Sequence, residues 1–410
     1  MGQYTLHDLE NTVKQEFRKL EDKICRAAEK MLQEAFDLEV EEYLGQSKDH
    51  IDSEGRRVVV RNGYLPTRDL VTPVGKVRIQ QPRVKDARAG KQFQSQLLSP
   101  YQRRTTCLDS WIPELYLKGV STNAMPDVFR RLLGCDVSGL SAANIARLRS
   151  HWQSEYSSWL QRDLSEKRYV YVWADGIHLK VRLVPEKPCV LVVIGATAEG
   201  KKELIALDDG ERESKASWKD LLLDLKERGL KTPRLAIADG GKGFWSALPE
   251  VFPETETQRC WVHKLANVLN RISKRHQPKA KAMLHQIYKA STQRQALAAY
   301  NRFLNAYENL YPKACDILKK DFDQLFTFYS YPAKHWQHIR STNVVESTFA
   351  TVRLRTRQTK GCLGRKATLA MVYKLTMEAQ KRWHSLHSHK LITLVDQGVT
   401  FKDGKQKKAA

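Results

Sequence analysis

The feature that most constrains this chain is a phrase it uses twice. Tyr169-Val-Tyr-Val-Trp-Ala-Asp175-Gly176 and Leu235-Ala-Ile-Ala-Asp239-Gly240-Gly241 are short apolar runs that end in Ala-Asp-Gly. Such a run reads as a buried strand bounded by a turn. Each Asp then sits at or just past a strand's C-terminal end, and the Gly after it lets the backbone bend or a ligand approach. In open α/β sheets that edge is where ligands bind. Two carboxylates on one edge repel unless a cation lies between them, and carboxylates with water suit Mg²⁺. The repeat therefore predicts a metal site. The plainer alternative is a pair of strand-end Asp residues that cap the elements after them.

The surrounding pattern predicts the sheet. Strands are expected over 169–174, 180–184 and 190–197, with links short enough for an antiparallel meander. A helix follows over 213–228, carrying Trp218, Leu221, Leu222 and Leu225 and stopped by Gly229. A fourth strand over 235–238, a short helix over 241–248 and a fifth strand over 255–261 complete the order βββαβαβ. That order belongs to a ribonuclease-H-like α/β domain, expected over 165–263 and resumed over 332–385. Ala, Leu, Gln, Lys and Tyr dominate 264–331, which reads as an all-α insertion, and 386–410 reads as a basic tail.

The N-terminal part has another character. Apolar residues recur at three- and four-residue steps over 1–45, so this segment reads as a helix. It carries eleven acidic and six basic residues in a chain whose formal charge is +23, so the basic surface lies elsewhere. It is either a core helix or a dimerisation helix that buries its stripe on a partner. Residues 46–104 form a basic region of short alternating runs, read as a β-ribbon with turns at Asn62-Gly63 and Pro73 to Gly75. Twelve Lys/Arg against two Asp/Glu between 55 and 104, with Arg61 and Tyr64 among them, read as a phosphate-contacting face or a solvated one. Residues 105–160 are helical. Asp127–Leu133 and the run from Ala142 through Arg147 and Arg149 resemble a helix-turn-helix, with an ordinary αα-hairpin as the alternative.

The excess of 69 Lys+Arg over 46 Asp+Glu favours a polyanionic partner, nucleic acid first. Seven scattered Cys suit a reducing compartment, and no apolar run reaches the ~18 residues of a spanning helix. A soluble, intracellular protein is expected. A third carboxylate is expected at Glu346, in Ser341-Thr-Asn-Val-Val-Glu346, just before a basic stretch. A helix there also carries Arg353 on the same face. Arg353, Arg355, Arg357 and Lys360 read as a grip on a phosphate backbone or as a solvated helix face.

The two Ala-Asp-Gly strands, Cys260-Trp-Val-His263, a helical insertion and Ser-Thr-Asn-Val-Val-Glu346 together resemble the IS256/Mutator-type DDE transposases of bacterial insertion sequences. Arg61-Asn-Gly-Tyr64, Leu115 through Thr122 and Gly210 through Trp218 match that family's phrases too, and the resemblance runs from about 55 to 385. It implies Asp175, Asp239 and Glu346 as catalytic, metal-holding residues, with Mg²⁺ as cofactor and Mn²⁺ as substitute. It also implies a bacterial, nucleoid-associated cytoplasmic location, and terminal inverted repeats and target DNA as double-stranded partners. Because transposon ends come in pairs, a homodimer or larger assembly on DNA is expected. Cys260 and His263 match the Cys-x-x-His signature. His263 is expected to touch DNA or order the site, with Cys260 as a small core residue. Half a zinc site is the alternative, although no second pair lies at finger-like spacing. Two other functions fit the charge: a non-catalytic, domesticated DNA-binding regulator, and a nuclease without strand transfer.

Overall fold

The structure is a computed structural model that describes residues 6–99, 101–121, 123–137, 140, 142–178, 189–210, 213–358 and 365–407. The side chains of 6–15, 17, 18, 117, 142–149, 351 and 354–358 lie outside that description. The chain divides into two compact units, Met1–Leu148 and Arg149–Ala410.

The first unit opens on a 40-residue helix, α1 (Leu6–Gly45). Four strands follow: β1 (Val59–Tyr64), β2 (Arg68–Thr72), β3 (Gly75–Ile79) and β4 (Pro82–Asp86). β2 and β3 form a hairpin closed between Thr72 and Gly75, where the sequence predicts a turn. Asn62-Gly63 is not a turn. It lies inside β1, which pairs with β4 across an irregularity between Arg61 and Tyr64. Gly63 takes φ +66°, so the residue read as a hairpin signal serves as a bulge. Phe36 of α1 packs with Leu70, Val77, Ile79 and Leu98, so the C-terminal half of α1 is a core helix. Two helices follow, α2 (Thr106–Leu117) and α3 (Met125–Leu133), and Gly134 ends α3 in the left-handed conformation. The next helix, α4 (Ala142–Leu160), has 19 residues, longer than the short second helix expected.

The second unit is a mixed α/β structure. β5 (Tyr169–His178), β6 (Cys189–Thr197) and β7 (Lys202–Gly210) precede α5 (Lys215–Glu227), β8 (Leu235–Ala238), α6 (Lys242–Val251) and β9 (Glu256–Arg259). The five strands form one sheet in the order β7-β6-β5-β8-β9. β7–β6–β5 are antiparallel, and β5–β8–β9 are parallel. The expected strand at 180–184 falls outside the described residues. Among the described residues the run at 190–197 follows β5, and β7 is a strand that the sequence pattern does not predict. Its apolar stretch Leu204–Leu207 is buried, but charged residues flank it on both sides and hide it from a strand pattern.

β5 is buried on both faces along nearly its whole length, as a continuous apolar run requires. On one face Val172, Ala174, Leu191 and Val193 pack with Trp218, Leu221, Leu222, Phe244 and Leu248 of α5 and α6. On the other, Tyr171 bonds His335 at 2.9 Å and the Trp173 indole donates to the His338 carbonyl at 2.9 Å.

From Trp261 to Ile339 the chain is helical: α7 (Trp261–Leu269), α8 (Gln277–Tyr288), α9 (Gln293–Tyr307), α10 (Pro312–Lys319), α11 (Phe322–Leu325) and α12 (Trp336–Ile339). Next come α13 (Asn343–Gln358), against β5 and β6, and α14 (Arg365–Gln380), against β7. Residues 386–407 are not a tail. α15 (Lys390–Asp396) and a small hairpin bury Leu386, Ile392, Val395 and Phe401, and Asp396 binds Arg168 at 2.7 Å. The apolar residues among the basic ones decide this, since each gains by leaving water.

Candidate functional site: one sheet edge and the start of a distant helix

Strand register builds the first half of the site. Ala174 of β5 faces Ala238 of β8, and Ala238 faces Arg259 of β9. The next residue on each strand is therefore Asp175, Asp239 and Cys260, a row across three neighbouring parallel strands spaced ~4.8 Å apart. Asp175 does not end its strand, since β5 runs on to His178 along β6, whereas Asp239 lies just past the end of β8. Gly176 N–H donates to Asp175 Oδ1 at 2.9 Å, and Gly241 N–H donates to Asp239 Oδ1 at 2.8 Å. The Trp245 indole holds the Asp239 carbonyl at 2.6 Å. Asp175 is 8% exposed, and burial first, then the charge of Asp239, pushes its carboxyl up to about 7.

The second half comes from far along the chain. Cys260 caps α7, and the Trp261 N–H donates to the Arg340 carbonyl at 2.9 Å, which brings the start of α13 alongside. Thr342 donates its N–H and its hydroxyl to Cys260 Sγ, both at 3.3 Å, and its hydroxyl also meets His263 Nδ1 at 3.3 Å. His263 Nε2 lies 3.5 Å from Glu346 Oε1. The Cys260 hydrogen bond raises His263 to about 9 against the opposing effect of burial, with the charges of Cys260, Asp175 and Glu346 adding. Burial opposes ionisation of the Cys260 thiol, but His263 and Thr342 outweigh it and bring the thiol below its ordinary value. Cys260 is thus more than a small core residue: it ties α7 to α13. Its Sγ, a His263 ring nitrogen and a Glu346 oxygen lie within 4.8 Å of one another, so the carboxylate expected at Glu346 stands beside the Cys-x-x-His pair.

Beside Asp239 opens a cleft of about 590 Å³, lined by Asp239, Gly240 and Gly241. Asn267 in the last turn of α7, Asn270 and Arg271 just after it, and Lys320 line it too. Arg271 and Lys320 are exposed and have no ion-pair partner among the described residues. Lys264 is structural: its ammonium bonds the Ile317 carbonyl at 2.8 Å and the Lys320 carbonyl at 2.5 Å, and burial lowers it to about 8. The buried Arg259 guanidinium packs on Gly240, where a Cβ would collide with it.

The family model described as "Transposase, Mutator family" matches residues 2–385. The chain belongs to the Mutator family of transposases. Among curated relatives, the transposase for insertion sequence element IS6120 of Mycolicibacterium smegmatis is 50% identical over 294 residues, covering 72% of this chain and 91% of its own. That for IST2 of Acidithiobacillus ferrooxidans is 46% identical over 288 residues, 68% of this chain and 95% of its own. That for IS256 in transposon Tn4001 of Staphylococcus aureus is 32% identical over 319 residues, 77% of this chain and 79% of its own. Among solved structures, the Drosophila P element transposase strand transfer complex aligns over 73% of this chain and 86% of that chain, with a TM-score of 0.32 and 12% identity. A superposition that weak carries no argument.

The other residues singled out in this Mutator-family chain fare unevenly. Arg61 binds Asp37 and Tyr64, and its guanidinium lies 4.8 Å over the Tyr64 ring, so it is engaged within its own unit. Arg353 is exposed on α13. Arg355, Arg357, Arg147 and Arg149 lie on helices, but their side chains fall outside the described residues, as does Lys360 altogether. Glu213 is the residue that sequence reading missed. The helix expected from Glu213 begins at Lys215 behind the cap Ser214, so Glu213 is released from it. It then stands between His178 and the carboxylate pair, where burial first and Asp239 second raise its carboxyl. Its only sequence signal is an acidic residue directly before a capping Ser. No helix among the described residues is long and apolar enough to cross a membrane.

Proposed function

We propose that this chain cuts and joins DNA at transposon ends, with Asp175, Asp239 and Glu346 as the catalytic carboxylates. The observation that carries the proposal is the register that sets Asp175 and Asp239 side by side, with Glu346 delivered through His263. The strand order, three antiparallel then two parallel, supports placing the sheet in the ribonuclease-H-like class.

The donor set fits a hard divalent cation. Asp175 is held neutral up to about 7 by burial and by its neighbour, and Glu346 Oε1 is buried with no hydrogen bond among the described residues, its ion-pair neighbour being His263 Nε2 at 3.5 Å. All three would hold Mg²⁺, with Mn²⁺ able to substitute, since both take octahedral oxygen ligands. Bound there, two such ions would supply Lewis-acid charge at the scissile phosphate and a nucleophilic oxygen at neutral pH. The chain's own residues do the rest. His263, protonated near neutral pH, orients Glu346 through Nε2 while Thr342 fixes Nδ1. Arg271, Lys320 and the two Asn of the cleft face the path of a phosphate backbone that leaves the site. Arg353 lies two turns along α13 from Glu346.

The basic ribbon over 46–104 and the helices over 105–160 supply the contacts to terminal inverted repeats in this reading. Leu20, Ile24, Met31 and Leu38 of α1 are exposed, the last three at seven-residue steps, which suits pairing with a second copy. An unchanged solution mass for Ile24→Asp with Met31→Asp would remove that interface. The intact carboxylate set favours the enzyme over a DNA-binding regulator. The deciding experiment incubates the chain and Asp239→Asn with a labelled inverted-repeat end and Mg²⁺ or Mn²⁺. Metal-dependent nicking at the tip, lost in the variant, is the expected result. Nicking that survives Asp239→Asn, or its absence from the wild type on paired ends, would sink the proposal.

A further inference from the structure

A fourth carboxylate faces the Asp pair. Glu213 takes φ +54°, in the left-handed region that side chains with a Cβ rarely adopt. Three glycines make room for it. A Cβ on Gly176 would collide with Glu213 Oε1, and one on Gly243 would collide with its carbonyl oxygen. The point where Gly241 would carry a Cβ lies 3.2 Å from Glu213 Oε2 and 3.0 Å from Asp239 Oδ1. Gly176 directly follows Asp175, and Gly241 stands two residues after Asp239, behind Gly240. Both segments thus leave space for the same carboxylate.

The two oxygens of Glu213 have different surroundings. Oε1 is engaged from outside: Cys189 Sγ donates to it at 3.5 Å, and His178 Nε2 lies 3.6 Å away. Oε2 is the oxygen on the side of Asp239. Outer partners that orient one oxygen while the other faces the centre are how metal-binding carboxylates are commonly held. With 20% of its side chain exposed, Glu213 is also open enough for water to share the place.

We infer that Glu213 is a further ligand to the divalent cation between Asp175 and Asp239, presenting Oε2 inward while Cys189 and His178 fix Oε1. The inference rests on the metal-dependent reading above. The competing account makes Glu213 a support for the start of α5, ion-paired to His178, with no part in holding the cation.

Mn²⁺ binding to the full-length, metal-free chain separates them, read from the signal of free Mn²⁺ by electron paramagnetic resonance. Glu213→Gln should weaken Mn²⁺ binding about tenfold or more. Gly176→Ala should also weaken it, because its Cβ pushes the Glu213 carboxylate aside without removing the charge. Thermal unfolding in EDTA adds a readout that a supporting role would move the other way. Glu213→Gln should unfold at or above the wild-type temperature, since one of three crowded carboxylates is gone. Wild-type Mn²⁺ affinity in Glu213→Gln, with affinity lost in Asp239→Asn, would overturn the inference and leave the metal reading standing. Equal affinity in wild type and Asp239→Asn would overturn the metal reading and this inference with it.

Discussion

Asp175 and Asp239 reach the candidate site by one route and Glu346 by another. The first two are placed by backbone hydrogen bonds between parallel neighbours, with Ala174 opposite Ala238. Their positions follow from strand pairing, whatever the flanking side chains are. Glu346 begins a helix more than a hundred residues further on and is held by side chains, chiefly Thr342 on Cys260 and His263 on Glu346. One half of the site is thus set by the ladder of a buried sheet. The other hangs on a hydroxyl, a thiol and an imidazole. The second half should be the easier to loosen without unfolding the protein.

The largest effect that tests this contrast comes from Thr342→Val, which keeps the shape and removes the hydroxyl that joins Cys260 to His263. End cleavage should fall about 10- to 100-fold, as for other outer positioning groups. The cost in stability should be only about 1–3 kcal/mol, because a buried thiol and a half-buried imidazole each lose one partner. Thr342→Ser should retain most of the activity. Wild-type cleavage by Thr342→Val would mean that Glu346 is placed by the packing of α13 alone.

The strand half is probed through pH in the metal-free protein, where the effect falls on stability and not on cleavage. Burial and Asp239 raise Asp175 from 3.8 to about 7, so the folded chain keeps a proton that the unfolded chain releases above pH ~4. Stability therefore falls as pH rises across that window, by roughly 4 kcal/mol in all at 1.36 kcal/mol per unit. His263, raised from 6.5 to about 9, contributes stability that is complete below pH 6.5 and lost as pH rises to 9. Melting in EDTA from pH 5 to 9 should show the difference between wild type and Asp175→Asn growing up to about pH 7 and then levelling. A constant difference would mean that Asp175 titrates as an ordinary carboxyl. Divalent cation should shrink the difference, since it replaces the proton.

The smallest expected effect concerns the cleft, where neither half of the site is touched. Arg271→Ala and Lys320→Ala should each lower the slope of log affinity for DNA against log salt by about one. Unchanged slopes in both would leave the cleft without a phosphate.

Much of the strand half was legible. An apolar run that ends in Asp-Gly, used twice, marks two buried strands because β5 and β8 have no solvent face to interrupt their pattern. The strand β7 was not legible, since only Leu204–Leu207 is buried between charged ends. Residues 386–407 read as a tail because four buried apolar residues are diluted among basic ones. Glu213 was invisible because its role depends on φ +54° and on three glycines that the chain delivers from elsewhere.

The sequence by itself determined that two carboxylates would follow two buried apolar runs of one sheet, that a basic chain would seek a polyanion, and that a third acid would open a late helix. Only the tertiary structure decided that β5 and β8 are neighbours in matching register. It also decided that Cys260 and His263 are the contacts that bring Glu346 to the edge, and that Glu213 joins them. The physical reason is range. Burial and turn chemistry act over a few residues and leave a local pattern. Register, and contacts across some 80 residues of chain such as Cys260 to Thr342, are fixed only when the sheet and its helices close on one another.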